Sequence, residues 1–87
     1  MTIRYFIYRA NQNYAYMISD LNLLLDLKKT GVKEVESGVL LEDPFDSASY
    51  DKKARIIHDV IKEANQNSNF NPKLLEERLN ELSWQNL

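Results

Sequence analysis

The most constraining feature of the chain is a strand-like segment near the N-terminus, IRYFIYR, that carries large side chains in both phases of its alternation. One phase holds Ile3, Tyr5 and Ile7, and the other holds Arg4, Phe6 and Tyr8. Successive side chains of a β-strand point to opposite faces of the sheet, so this segment presents bulk on both faces. The pattern predicts a central or doubly covered strand over residues 2–9, in which the Phe6 and Tyr8 face is the less covered one.

The next two segments predict a turn and a second strand. Residues 10–13 (ANQN) have turn chemistry, because asparagine tolerates a positive φ and forms hydrogen bonds with its local backbone. The following YAYMIS alternates as a strand does, but its apolar residues also fit helical spacing with Asn13 as N-cap. Its β-prone side chains favour a strand that pairs with the first one in a hairpin.

A leucine-rich segment, DLNLLLDLKKTG, predicts the first helix. Ser19 is the expected N-cap, Lys28 and Lys29 lie in the last turn, where they complement the helix dipole, and Gly31 occupies the C′ position. Five leucines spread over more than half of the helix circumference. A helix this apolar is either the core helix of a small domain or is shared with a partner.

Residues 32–42 predict a second hairpin, with arms KEVE and VLLE about Ser37-Gly38, or else one bulged strand. A helix then follows over residues 47–65, with its apolar stripe centred on Ile57 and Ile61. Asn71 and Pro72 predict the start of a last helix, with Leu75, Leu79 and Leu82 on its inner side.

These elements predict one α+β domain over residues 1–87. The expected order is ββαββαα, or βαββαα if residues 14–19 are helical, with the C-terminal helices packed on an antiparallel sheet. A chain of 87 residues with 44% hydrophobic and 28% charged residues is of the size and composition of a single globular domain.

Several functional classes lack their characteristic residues. The chain has no cysteine, which excludes disulfides and cysteine nucleophiles, and it has no run of the roughly 20 apolar residues that span a membrane. We therefore expect a cytoplasmic protein. The single histidine, His58, lies beside an apolar helix stripe without an aligned carboxylate, and no glycine-rich phosphate loop is present. The sequence predicts neither an enzyme nor a cofactor site.

The acidic segment LEDPFDSASYD has the oxygen ligands that Ca²⁺ and Mg²⁺ prefer, but Pro44 and Phe45 interrupt the ligand spacing. Helix capping explains the same acids, so no metal site is predicted. The distribution of charge is more informative. Residues 1–33 carry a net charge of +3, residues 34–51 carry −6, and residues 52–87 carry +1.

The acidic block between two basic-leaning segments indicates a surface for a basic partner, or a solvated edge that discourages aggregation. Trp84 is an interface anchor if it lies opposite the leucine stripe, and a core residue if it folds back. The sequence predicts a non-enzymatic interaction module, a small regulator or inhibitor that binds a protein of unknown identity, a homodimer, or both. The predicted partner-binding residues are Glu34, Glu36, Glu42, Asp43, Trp84 and Tyr8.

A single-stranded nucleic-acid binder is the alternative, because tyrosines beside arginines are the ingredients of a base-stacking platform. The residues of that platform are Arg4, Tyr5, Tyr8, Arg9, Tyr14 and Tyr16. The net charge of −2 disfavours a protein that follows a phosphate backbone, so nucleic acid is the less favoured partner.

Overall fold

The computed structural model describes residues 2–41 and 47–85, with the side chains of residues 2–41 and 49–81. The elements are β1 (Ile3–Ala10), β2 (Asn13–Ser19), α1 (Leu21–Lys29), β3 (Lys33–Leu41), α2 (Ser47–Asn67) and α3 (Pro72–Gln85). The α+β class is confirmed: three antiparallel strands form one sheet, and the C-terminal helices pack on it. None of the helices described is both long and apolar enough to cross a membrane.

The strand order is β2-β1-β3, which confirms the prediction that the first strand is central. The turn between β1 and β2 is also confirmed, because Asn11 and Gln12 adopt the positive φ angles of 51° and 70° that a two-residue hairpin turn of type I′ requires. The ambiguous YAYMIS segment is a strand, and it pairs with β1 from Arg4–Ser19 to Ala10–Asn13.

The second predicted hairpin is wrong, and the alternative of one bulged strand is right. Tyr8 pairs with Glu34 and Ile7 with Glu36, so Val35 is an extra residue on β3. The register shifts again between Arg4, which pairs with Val39, and Ile3, which pairs with Leu41. Ser37-Gly38 therefore lies within a continuous strand, where Gly38 faces Tyr5, instead of forming a turn.

One face of the sheet packs against α2 and α3 and forms the main core. Its buried members are Tyr5, Ile7, Leu40, Ile57, Val60, Ile61, Ala64, Phe70 and Leu75. The apolar stripe predicted for α2 is confirmed by the burial of Ile57 and Ile61. On α3, Leu75 is buried and Leu79 packs on the core as predicted, and the side chain of Leu82 lies outside the described residues. Both bulges of β3 add an apolar side chain to this face, because Leu40 is buried there and Val35 packs against the same cluster.

The other face is covered by α1, whose buried residue is Leu24. Phe6 is 0% exposed, so the expectation that the Phe6 and Tyr8 face stays uncovered is wrong for Phe6, while Tyr8 is half-buried. The helix begins one residue later than predicted, because the Asp20 carboxylate, and not Ser19, accepts the hydrogen bond from the Leu23 backbone N–H at 3.2 Å.

The links at the helix ends follow local sequence signals. Gly31 has φ of +84° just after the C-cap Thr30, as expected for a C′ glycine. The Asn71 side chain accepts the backbone N–H of Lys73 at 3.1 Å, which confirms the predicted start of α3. Phe70, between α2 and α3, is buried in the core.

Candidate functional site

A groove lies between α1 and the sheet, and we call it the α1 groove. Its volume is about 170 Å³, and it is lined by Arg4, Phe6, Leu21, Leu24, Leu25, Lys28 and Ser37. Phe6 forms the floor because it projects from β1 toward α1, and Lys28 lies with its ammonium 5.7 Å from the centre of the Phe6 ring. The nine residues of α1 leave part of this sheet face open to solvent.

Exposed apolar side chains gather around the α1 groove. Of the large apolar side chains that the structure describes, those with high exposure are Leu21 (50%), Leu23 (54%), Leu25 (45%) and Val39 (42%). Leu21 and Leu25 line the α1 groove, whereas Val39 lines a different groove together with Tyr5 and Glu36. Leu23 is two residues from each of these leucines, hence about 160° away around the helix. The rim of the α1 groove therefore carries two exposed leucines, and Leu23 lies on the opposite flank of α1.

Two of the predicted partner-binding residues lie together beside this groove. Tyr8 and Glu34 form a cross-strand pair, and the ring of Tyr8 stacks on Phe6 with a centroid distance of 5.8 Å. The Glu34 carboxylate forms an ion pair with Lys28 at 2.9 Å and accepts a hydrogen bond from the Ser37 hydroxyl. That hydrogen bond, together with the one from Lys28, lowers the pKa of Glu34 below its usual value.

Of the other predicted partner-binding residues, only Glu36 has a described side chain, and it lies elsewhere. The bulge at Val35 turns Glu36 to the face that carries α2 and α3, opposite to Glu34. Glu42 and Asp43 lie outside the described residues, and so does the side chain of Trp84, although its backbone belongs to α3. Glu34 and Glu36 therefore do not form one acidic surface.

Glu36 lines a second groove, the α3 groove, of about 490 Å³. Its charged side chains are Glu36, Lys53, Lys73 and Glu76, so both signs are present in equal number. Tyr5 lies at its inner end and is 8% exposed. Burial raises the pKa of the Tyr5 hydroxyl above its usual value, and the carboxylates of Glu36 and Glu76 raise it further.

The six residues of the predicted stacking platform do not share one face. Arg4 and Tyr8 project toward α1, whereas Tyr5 is buried on the opposite face. Arg9, Tyr14 and Tyr16 lie on that opposite face, where the guanidinium carbon of Arg9 is 5.5 Å from the centre of the Tyr14 ring.

A third groove runs between β2 and α2, and we call it the β2–α2 groove. It has a volume of about 500 Å³ and is lined by Tyr14, Ala15, Tyr16, His58, Ile61, Lys62 and Asn65. The Tyr16 hydroxyl lies 3.2 Å from Nδ1 of His58. The Asn65 side chain accepts the Tyr14 backbone N–H at 2.6 Å and donates to the Tyr14 carbonyl at 3.0 Å. The helical spacing of α2 alone does not reveal these pairs, because their partners are more than 40 residues apart in sequence.

Neither Lys62 nor Asn65 stands out in the sequence, and only their positions one turn from His58 and Ile61 place them on the β2 side of α2. A catalytic histidine is commonly oriented by a carboxylate. The contact of His58 is with the Tyr16 hydroxyl, so it does not form such a pair. In residues 2–41 and 47–85, no group of three histidine or acidic side chains is placed to hold a metal ion.

No protein-family model, curated protein sequence or solved structure matches the chain. The fold defines a small α+β domain of order ββαβαα. The α1, α3 and β2–α2 grooves are three of the grooves that its described residues form. The α1 groove differs from the other two by its exposed leucines.

Proposed function

We propose that the chain is a non-enzymatic protein-binding module and that its contact surface is the α1 groove with the apolar side chains on its rim. The observation that carries the proposal is the exposure of Leu21 and Leu25, each about half exposed beside a groove floored by Phe6. Exposed apolar patches rimmed by polar residues are typical of protein interaction sites. A module of this kind can act as a small regulator or inhibitor by occupying the surface of its partner.

The charges of the α1 groove favour one kind of occupant. Arg4 and Lys28 are its charged lining residues, and Lys28 is already paired with Glu34. Arg4 is therefore the cation that a ligand can approach most directly. The occupant we propose is a partner protein that inserts an apolar side chain into the groove and places a carboxylate next to Arg4.

The exposed leucines supply the binding energy in this proposal, and the charges supply orientation. Complete burial of a leucine contributes about 1.5–3 kcal/mol, so burying the exposed half contributes about 1 kcal/mol. Leu21 and Leu25 together then contribute about 2 kcal/mol, which corresponds to about a thirtyfold change in Kd. The site of action that we propose is the cytoplasm, because a chain without cysteines needs no oxidising compartment to form disulfides.

The test is affinity purification from the source organism with the wild-type chain and two variants as baits, followed by titration of the purified chain with the recovered protein. We expect Leu21→Ser/Leu25→Ser to weaken binding by about thirtyfold or more. Leu23→Ser is the matched control, because Leu23 lies on the same helix, is equally exposed and points to the opposite flank. It should leave the affinity unchanged.

Arg4→Gln tests the nature of the partner, and we expect it to slow association without abolishing binding. A partner that binds all variants equally would contradict the proposed surface. Light scattering examines the second copy as occupant. A dimer that dissociates in Leu21→Ser/Leu25→Ser, but not in Leu23→Ser, would replace the proposed partner with another copy of the chain.

A further inference from the structure

We infer that the β2–α2 groove binds a phosphorylated nucleoside, either as a free nucleotide or as part of a single-stranded nucleic acid, through the Tyr16 ring and the Lys62 ammonium. This groove lies on the opposite face of the sheet from the α1 groove. The inference is therefore independent of the proposed protein-binding surface.

The two walls of the groove are fixed to each other at both ends. Asn65 forms two hydrogen bonds with the backbone of Tyr14, at 2.6 Å and 3.0 Å, as a neighbouring strand would. The Tyr16 hydroxyl lies 3.2 Å from Nδ1 of His58, about two turns earlier on α2. Because these contacts join β2 directly to α2, they hold the two walls in place, and less free energy is lost in ordering the groove on binding.

The charge of the β2–α2 groove has one sign. Its charged lining residue is Lys62, and no carboxylate lines it among the residues that the structure describes. Asp59, three residues before Lys62 on α2, is exposed and is not among the lining residues. Arg55 lies three residues before His58 and therefore on the same side of α2. Asp51 lies one further turn toward the N-terminus of α2, away from Lys62. Glu63 faces the other way, toward Arg78 of α3 at 3.0 Å. The α3 groove, in contrast, balances its two lysines with two glutamates.

The aromatic rings of the groove differ in availability. The Tyr14 ring is flanked by Arg9 and by Phe70, whose ring centre is 5.7 Å away, so Tyr14 forms a structural wall. The Tyr16 ring meets His58 edge-on, at 6.0 Å and an interplanar angle of 74°, and is half-buried. Tyr16 is therefore the ring on which a flat ligand can stack, and Ile61 adds an apolar side chain to the same groove.

A flat aromatic group next to a cation defines the ligand class. A base can stack on Tyr16 while its phosphate reaches Lys62, and every nucleobase offers the π-face that stacking uses. The volume of about 500 Å³ lies within the range of small-molecule sites. A net charge of −2 disfavours a long phosphate track, but it does not oppose the binding of one or two nucleotides at a locally basic groove.

The test is a titration of the ¹⁵N-labelled chain, followed by NMR, with uridine and adenosine monophosphates, single-stranded oligonucleotides of the same bases, and inorganic phosphate. We expect chemical-shift changes at Tyr16, His58 and Lys62. Lys62→Gln should weaken binding about tenfold, and it should reduce the slope of log affinity against log salt by about 0.7 for an oligonucleotide. Lys73→Gln, which removes the same charge from the α3 groove, should change neither quantity.

Two substitutions at position 16 separate stacking from the hydrogen bond to His58. Tyr16→Phe keeps the ring and should retain binding, whereas Tyr16→Leu should lose about tenfold in affinity. Binding by mononucleotides identifies a free nucleotide as ligand, and binding by oligonucleotides alone identifies a strand.

Four results would overturn the inference. They are the absence of shifts at millimolar nucleotide, shifts confined to another groove, equal shifts with inorganic phosphate alone, and equal competition by an acidic peptide. Because Lys62 is exposed, Lys62→Gln should fold even if Tyr16→Leu does not, and it keeps the inference open to refutation.

Discussion

The ring of Tyr5 occupies the space that a side chain at position 38 would need. A Cβ atom built on Gly38 would lie 2.7 Å from the Tyr5 hydroxyl oxygen and 2.9 Å from two of its ring carbons. Tyr5 and Gly38 are cross-strand partners on the face that carries α2 and α3. The glycine therefore permits a close approach of the Tyr5 ring to β3, and the buried tyrosine depends on it.

We expect Gly38→Ala to lower the free energy of unfolding by about 1–3 kcal/mol, because the buried Tyr5 ring must shift within a packed core. Denaturant unfolding followed by circular dichroism measures the change. Tyr5→Phe in the Gly38→Ala background should restore only part of the loss, since the ring carbons remain 2.9 Å from the new methyl group. An unchanged midpoint for Gly38→Ala would contradict the close contact.

Stability should fall in alkaline solution because of Tyr5. Its pKa is raised in the folded chain by burial and by Glu36 and Glu76, so above about pH 10 the unfolded chain releases this proton while the folded chain retains it. The stabilising contribution is complete below that pH and is lost as the pH rises through the folded pKa. Unfolding measured at about pH 9 and about pH 11 should show a smaller loss in Tyr5→Phe than in the wild-type chain.

Glu76→Gln provides the matched comparison for the alkaline effect. It removes one carboxylate that raises the pKa of Tyr5 and keeps the burial of the ring. The alkaline loss of stability should then become smaller than in the wild-type chain but remain larger than in Tyr5→Phe. An identical alkaline profile in all three proteins would mean that Tyr5 does not control it.

Glu34 should give the opposite dependence at acid pH. Its pKa is lowered by hydrogen bonds from Ser37 and Lys28, so the stabilising contribution is present above the unfolded value and is lost as the pH falls through the folded value. Since the carboxylate is partly exposed, the effect should be below about 1 kcal/mol. Glu34→Gln should flatten the acid limb of the stability profile, and Glu77→Gln, an exposed acid on α3, should leave its shape unchanged.

Asn65 should protect the edge of β2. Asn65→Ala removes both hydrogen bonds to Tyr14, and we expect a loss of about 1–2 kcal/mol in the free energy of unfolding. Hydrogen exchange of the Tyr14 amide should become about tenfold faster. Gln66→Ala, at the exposed neighbouring position, serves as the control and should change neither quantity. Unaltered exchange in Asn65→Ala would show that another group protects this amide.

Local signals in the sequence predicted the elements that local chemistry controls. Asn71-Pro72 starts α3, and the glycine at position 31 ends α1, because capping involves only the residues of one turn. The predicted turn at Ser37-Gly38 is wrong because the glycine serves a distant contact. It leaves room for the ring of Tyr5, a residue 33 positions earlier. Bulk on both faces of β1 correctly indicated cover on both sides, but not that the short α1 would bury Phe6.

The candidate sites were harder to predict for the same reason. The leucine content of α1 suggested a shared helix, yet the positions of Leu21 and Leu25 on the open flank depend on how α1 docks over Phe6. The β2–α2 groove lies between β2 and a helix more than 40 residues later in the sequence. The periodicity within either segment does not indicate that the two elements lie side by side. Glu34 and Glu36 lie on opposite faces of the sheet because the bulge at Val35 reverses the regular alternation of a strand.

The two bulges of β3 have opposite effects on side-chain orientation, so the second compensates the first. The first bulge, at Val35, reverses the face of the sheet to which alternate residues of β3 point. The second, at Leu40, restores the original alternation. Only the four residues from Glu36 to Val39 have the reversed orientation. Among them, Gly38 faces Tyr5, and Glu36 points to the face opposite to that of Glu34. A change of length between the bulges is therefore more consequential than a change of side chain, because losing one residue there would exchange the inner and outer faces of the strand beyond it. Losing Val35 itself would only remove a bulge, since Glu34 would still face Tyr8 and Glu36 would still face Ile7.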